Sequence, residues 1–221
     1  MDGVIANSQP TAELARNLGV AAEKIRIVHP GVTLPTAPQS PAALQDFRQR
    51  HQLGDRRLLL SVGRLTTRKG LREFVQQALP AIVQAAPDTL LVVVGDAPAD
   101  SLHASVQTRA SIQAMADAAG IGQHLRFLGV ITDPQELACA YESASLHIFP
   151  VRQLPGDPEG FGMVAIEAAA HGLPTVAFAT GGIVDAVAEG ESGHLVAPGA
   201  YPSLAQAALQ MLADGPGAWQ T

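Results

Sequence analysis

"LLLSVGRLTTRKGLREFVQQALPAIVQAAPDTLLVVVG", residues 58–95, opens and closes on a continuous apolar run, "LLLSVG" and "TLLVVVG". Between them, "GLREFVQQALPAIVQAA" spaces its apolar residues at helical intervals. Strands that are apolar on consecutive residues are covered on both faces, and strands separated by a helix run parallel. The alternation then continues to the end of the chain. A helical stretch runs from about Ser101 to Ala119, "HLRFLG" precedes "PQELACAYESA", and "SLHIFP" precedes "GMVAIEAAAHG". "PTVAF" precedes "GIVDAVAEG", and "GHLVA" precedes "PSLAQAALQMLADG". The predicted fold is α/β, a doubly wound parallel sheet.

The first fifty residues read differently. "GVIAN" and "KIRIVHPG" are strand-like and flank the short helical pattern "TAELARNLG". The proline-rich "VTLPTAPQSPAALQ" follows, with linker composition and no core periodicity. A boundary is therefore expected over residues 32–44. Residues 1–31 read as the closing βαβ of a preceding domain whose body lies outside this chain, and residues 45–221 as one Rossmann-like domain. No repeat of solenoid period is present.

Composition narrows the function classes. Of the 221 residues, 47% are hydrophobic and 15% charged, enough apolar material for a buried core. The net charge of -6 argues against a general grip on nucleic acid or anionic lipid, but a few cations and helix N-termini can still hold one phosphate group. The single cysteine, Cys139, excludes an intrachain disulfide and a cysteine-cluster metal site, and reads as a small buried hydrophobe. The N-terminus "MDGVIANSQP" lacks the pattern of a signal peptide, and no apolar run approaches a membrane span, so a cytoplasmic protein is expected.

In an open parallel sheet, ligands bind beyond the carboxyl ends of the strands. The loop "RLTTRKG" after "LLLSVG" places Arg64, Arg68 and Lys69 there. Arg64 offers a bidentate fork and Lys69 a point charge to a diphosphate, although a solvated basic turn has the same composition. In "EGFGM", Gly160 and Gly162 allow close backbone approach, and the helix amides that follow favour an anion. Glu159 can accept hydrogen bonds from sugar hydroxyls. Glu167 lies on a helix face with Met163, Val164 and His171, and burying it unpaired is costly. A ribose hydroxyl pair is one partner for it; a salt bridge or partial exposure is the other reading. The pair Gly181–Gly182 repeats the device before "IVDAV" or makes an ordinary turn. His103, His124, His147 and His194 show no metal-ligand spacing. There is no nucleophile elbow and no P-loop.

In this order the residues resemble the donor-binding half of the retaining, group 1 (family 4) GT-B glycosyltransferases. "LLSVGRLTTRKG" matches that family's G-R-x4-K-G loop, "LLVVVGDAP" its second strand, and "LRFLGVI" its base-site strand. "EGFGMVAIEAAAHGLPTVAFATGGIVDAV" matches its E-x7-E motif and double glycine, and "VIANS" with "KIRIVHPGV" the end of its N-terminal domain. The resemblance implies a nucleotide-sugar donor, no cofactor, no required metal, and sugar transfer to a hydroxyl with retention. It assigns catalytic roles to Arg64, Lys69 and Glu159, with the first two at the diphosphate. Gly63 and the amides of Phe161, Gly162, Met163 and Val164 would line the donor, Glu167 would hold the ribose, and Val130 and Ile131 would pack the base. Arg152, after "SLHIFP", lies near enough in sequence to join them.

The resemblance also implies an acceptor, a sugar or lipid-linked sugar, bound by an N-terminal domain outside this chain. The full-length protein would then associate loosely with a membrane while assembling polysaccharide or glycolipid. The chain reads as a truncated enzyme that binds donor weakly and transfers nothing. Asp185 stands where relatives commonly carry Glu. A nucleotide-sugar epimerase and a nonenzymatic nucleotide-sugar-binding module remain the alternatives. An NAD dehydrogenase fits poorly, because no G-x-G-x-x-G follows a strand.

Overall fold

Consecutive apolar residues do produce strands covered on both faces. In β3 (Arg57–Val62) and β4 (Thr89–Val94), Leu59, Leu91 and Val93 enter one buried cluster while Leu58, Leu60, Leu90 and Val92 enter another. Side chains alternate across a strand, so both layers need apolar residues and the sequence shows an unbroken run. The computed structural model describes residues 3–98 and 107–215.

The main sheet has six parallel strands in the order β5 (Leu125–Gly129), β4, β3, β6 (Leu146–Phe149), β7 (Thr175–Phe178), β8 (Gly193–Val196). One face is covered by α3 (Leu71–Gln77), α4 (Leu79–Ala85), α5 (Arg109–Ala118) and α9 (Tyr201–Asp214). The other carries α2 (Pro41–Arg50), α6 (Pro134–Ser143) and α7 (Met163–Ala170). The short α8 (Ile183–Ala186) closes the third cluster with Phe149, Phe161 and Ala165. Two shorter strands, β1 (Val4–Ala6) and β2 (Ile25–Ile27), pair in parallel as a separate sheet with α1 (Gln9–Asn17) between them.

Two expectations need correction, and part of a third lies outside the described residues. The single helix expected over residues 70–86 is two, because Pro80 cannot donate a backbone hydrogen bond and breaks the first helix at Ala78. The expected linker 32–44 ends in structure: Pro41–Leu44 form the first turn of α2, capped by the Ser40 hydroxyl, with Ala43 and Leu44 packed on the core. The helix expected from Ser101 is described only as α5, from Arg109; residues 99–106, His103 among them, lie outside the described residues. Among the described residues, no helix is long and apolar enough to cross a membrane.

Candidate functional site

Strand order fixes where a ligand can enter. The chain builds outward from β3 through β4 to β5, then returns to β6 and builds the other way. The connections after β3 and β6 therefore leave on opposite faces and part over a crevice at the carboxyl edge. The two strands are neighbours, with Leu59 opposite Leu146 and Leu60 opposite His147. Residues 63–70 and 150–162, the two segments that supplied most of the candidate residues, are the loops at this crevice.

Lys69 and Glu159 meet across it. Lys69 Nζ is 2.8 Å from Glu159 Oε2 and lies 4.8 Å from the centroid of the Phe149 ring, with 17% of its side chain exposed. Burial lowers the ammonium pKa; Glu159 opposes the shift, while Arg68 and Arg64 add to it. Arg68 also pairs with Glu159 Oε2, and its Nε is 3.1 Å from Asp157 Oδ1. Arg64, by contrast, is exposed, and its guanidinium makes no hydrogen bond or ion pair among the described residues. A guanidinium without a side-chain partner, beside a guanidinium and an ammonium that are both paired, is the group an incoming anion can claim without displacing a carboxylate.

Backbone packing holds the Glu159 loop in place. The Gly182 amide donates to the Glu159 carbonyl at 2.8 Å. A Cβ on Gly181 would lie 2.4 Å from the Glu159 carbonyl oxygen, and one on Gly182 2.1 Å from that of Gly160. The double glycine thus serves close approach of two backbones, a role beyond the turn or anion-binding alternatives expected of it. Gly162 starts α7 at φ 96, a conformation that favours glycine, and no side chain caps the helix. Phe161 is buried, Met163 is exposed and Val164 lies partly buried on the third cluster.

Glu167, for which a ribose hydroxyl pair and a salt bridge or partial exposure were both open, is partly buried and has a neutral partner within the chain. Tyr141 donates its hydroxyl to Glu167 Oε2 at 2.9 Å. Nothing in the spacing of "ELACAYESA" announces that contact, which joins two helices 26 residues apart. Arg152 is held by the first turn of α3, its Nη1 3.0 Å from Glu73 Oε1, while its amide donates to the Arg68 carbonyl at 2.8 Å. Val130 and Ile131 follow β5, two strands from β3; Val130 is 66% exposed and Ile131 packs on the core. Beside them, Arg109 Nη2 pairs with Asp96 Oδ2 at 2.5 Å, an ion pair the sequence reading missed.

The N-terminal segment docks on this same edge. Ser8 Oγ donates to the Gly160 carbonyl at 2.7 Å, and the Gln9 amide donates to Asp185 Oδ2 at 2.6 Å. His29 Nε2 lies 3.1 Å from the same oxygen, and its ring stacks on Phe161 with centroids 5.6 Å apart. Elsewhere, His124 Nδ1 is 2.8 Å from the Thr89 carbonyl and His194 Nδ1 is 2.5 Å from Glu189 Oε1. Both make contacts within the fold. Among the described residues, no three His, Cys, Asp or Glu side chains cluster as a metal site.

The sequence profile of the family described as "Glycosyl transferases group 1" matches residues 56–214. Similarity to a GDP-mannose-dependent alpha-(1-6)-phosphatidylinositol monomannoside mannosyltransferase of Mycolicibacterium smegmatis is 33% identity over 84% of this chain and 46% of that protein. Among solved structures, Anabaena HepE in complex with UDP superposes with a TM-score of 0.81 and 26% identity, over 96% of this chain and 54% of that one. A sucrose-phosphate synthase from Thermosynechococcus elongatus superposes with a TM-score of 0.78 and 31% identity, over 100% of this chain and 51% of that one. The chain spans about half the length of the curated relatives it matches.

Proposed function

This chain belongs to the group 1 glycosyl transferases, and on that premise we propose that it binds the nucleotide-sugar donor of a retaining transferase. The observation that carries the reading is the unpartnered Arg64 beside the Lys69–Glu159 pair at the crevice where strand order reverses. Arg64 and Lys69 take the diphosphate, Glu159 meets the sugar hydroxyls, Glu167 the ribose, and Val130 with Ile131 the base. Gly63 and the amides from Phe161 to Val164 line the donor.

In the proposed reaction, the bond from the anomeric carbon to the β-phosphate oxygen breaks while a bond to the acceptor oxygen forms on the same face. The acceptor proton passes to the leaving phosphate. The protein's task is to stabilise the charge that grows on that phosphate, with Lys69 held in the part-dry crevice and Arg64 free at its edge to close on the anion. Donor binding needs no divalent ion in this scheme, so nucleotide affinity measured in excess EDTA stays unchanged. The acceptor, a sugar or lipid-linked sugar, is bound by further sequence of the kind that makes up the other half of the relatives. Alone, this chain binds donor and transfers nothing.

Titration calorimetry with UDP, GDP and ADP, on this chain and on an Arg64→Ala/Lys69→Ala variant, tests the reading. Saturable binding of one nucleoside diphosphate, lost in the variant, supports it and names the base. Equal binding by both proteins would sink it.

A further inference from the structure

A half-buried carboxylate on an alanine-rich helix has several rotamers open to it unless something selects one. Glu167 is so placed on α7, and the hydroxyl of Tyr141, reaching from α6, donates to its Oε2 at 2.9 Å. Tyr141 is itself immobilised: 1% of it is exposed, and its ring lies flat on His171 with centroids 5.3 Å apart and planes 8° from parallel. Burial foremost, then the charge of Glu167, raises the phenol pKa, so the hydroxyl remains a donor. His171 Nδ1 is 2.9 Å from Glu142 Oε1, and Glu142 Oε2 accepts from the Gln39 amide at 2.6 Å. The tyrosine is thus braced from the segment that precedes α2. A carboxylate has about four lone-pair sites, and one phenol occupies only one of them. The remaining capacity suits two adjacent hydroxyl donors.

We propose that Tyr141 is a positioning residue for ribose recognition: it fixes Oε2 of Glu167 so that the other lone pairs meet the paired hydroxyls of the donor's ribose. The inference rests on Glu167 being the ribose carboxylate. It adds the group that makes this carboxylate selective.

Tyr141→Phe removes one oxygen and keeps the stacked ring. The readout is the ratio of dissociation constants for a 2′-deoxynucleoside diphosphate and its ribo counterpart, using whichever of UDP, GDP and ADP binds the unmodified chain most tightly. The unmodified chain is expected to prefer the ribo form by about tenfold, equivalent to about 1.4 kcal/mol. In Tyr141→Phe the preference falls below about threefold, with affinity for the deoxy form and Tm nearly unchanged. His171→Ala, which removes the ring bracing Tyr141, lowers the ratio by a smaller factor and serves if Tyr141→Phe folds poorly. Equal weakening of both nucleotides, or an unchanged ratio in both variants, overturns the role. Glu167→Gln separates the two levels of the argument. If it abolishes the preference while Tyr141→Phe keeps it, only the positioning role fails. If Glu167→Gln also keeps the preference, the ribose reading falls and the proposal falls with it.

Discussion

Lys69 Nζ lies 2.8 Å from Glu159 Oε2, joining the loop after β3 to the loop after β6 across the point where strand order reverses. The bond has both a structural and a chemical consequence. Lys69 is mostly buried, so replacing it leaves Glu159 with Arg68 alone and removes the cation over Phe149. A hydrogen bond to a charged group contributes about 1.5–3 kcal/mol, and Lys69→Gln is expected to lose an amount in that range by urea denaturation. Nucleotide affinity falls in the same variant.

Arg64 separates these two effects. Its side chain is exposed and without a partner among the described residues, so Arg64→Ala is expected to change stability by no more than about 0.5 kcal/mol. Its loss from a diphosphate site would still weaken nucleotide binding by about tenfold or more, the equivalent of one charge-assisted hydrogen bond. Parallel denaturation and calorimetry on the two single variants check the contrast. A variant at Arg64 that unfolds easily and binds normally would reverse the assignment.

The sheet was legible because its evidence is local: "LLLSVG" and "TLLVVVG" are apolar on both faces, and no exposed strand reads that way. That the candidate loops follow the carboxyl ends of strands was legible too, but the strand order that sets two of them side by side was not. The pairings inside the crevice were not legible either. Glu159 with Arg68, Glu167 with Tyr141 and Arg152 with Glu73 join residues 91, 26 and 79 positions apart, and no spacing rule reaches so far. Gly181 and Gly182 were visible as a motif, but their reason is a neighbouring backbone that only the fold brings near.

That backbone contact predicts the effect of a single methyl group. In Gly182→Ala the new Cβ would meet the Gly160 carbonyl oxygen at 2.1 Å, and a backbone oxygen cannot turn aside as a side chain can. The Glu159 loop must move. Overpacking of this kind costs about 1–3 kcal/mol, and displacement of Glu159 weakens nucleotide binding as well. A crystal structure of the variant with the loop unmoved would contradict the packing argument.

Asp185 ties the N-terminal segment to the same edge by accepting from the Gln9 amide and lying 3.1 Å from His29 Nε2. Asp185→Ala removes both contacts while the Ser8 bond to the Gly160 carbonyl remains. Faster amide hydrogen exchange is expected over α1 and β2, with exchange in β3 and β4 unchanged. Uniform acceleration across the main sheet would instead make Asp185 a determinant of global stability.

His147 gives the fold a pH dependence of definite sign. Its ring is fully buried, Nδ1 is 3.0 Å from Thr175 Oγ1, and Nε2 has no partner among the described residues. Burial first, and the charge of Lys69 second, depress its pKa from 6.5 to about 3. The unfolded chain therefore takes up a proton as pH falls through 6.5, and the folded chain does not until about pH 3. The stability that depends on a neutral ring is intact above pH 6.5 and is lost between those values, at a slope approaching about 1.4 kcal/mol per pH unit. Urea denaturation of the unmodified chain and of His147→Gln at pH 7, 6 and 5 isolates this residue, because the other histidines are common to both proteins. The unmodified chain should lose stability more steeply as the pH falls. Parallel pH profiles would show that the buried ring accepts its proton without cost.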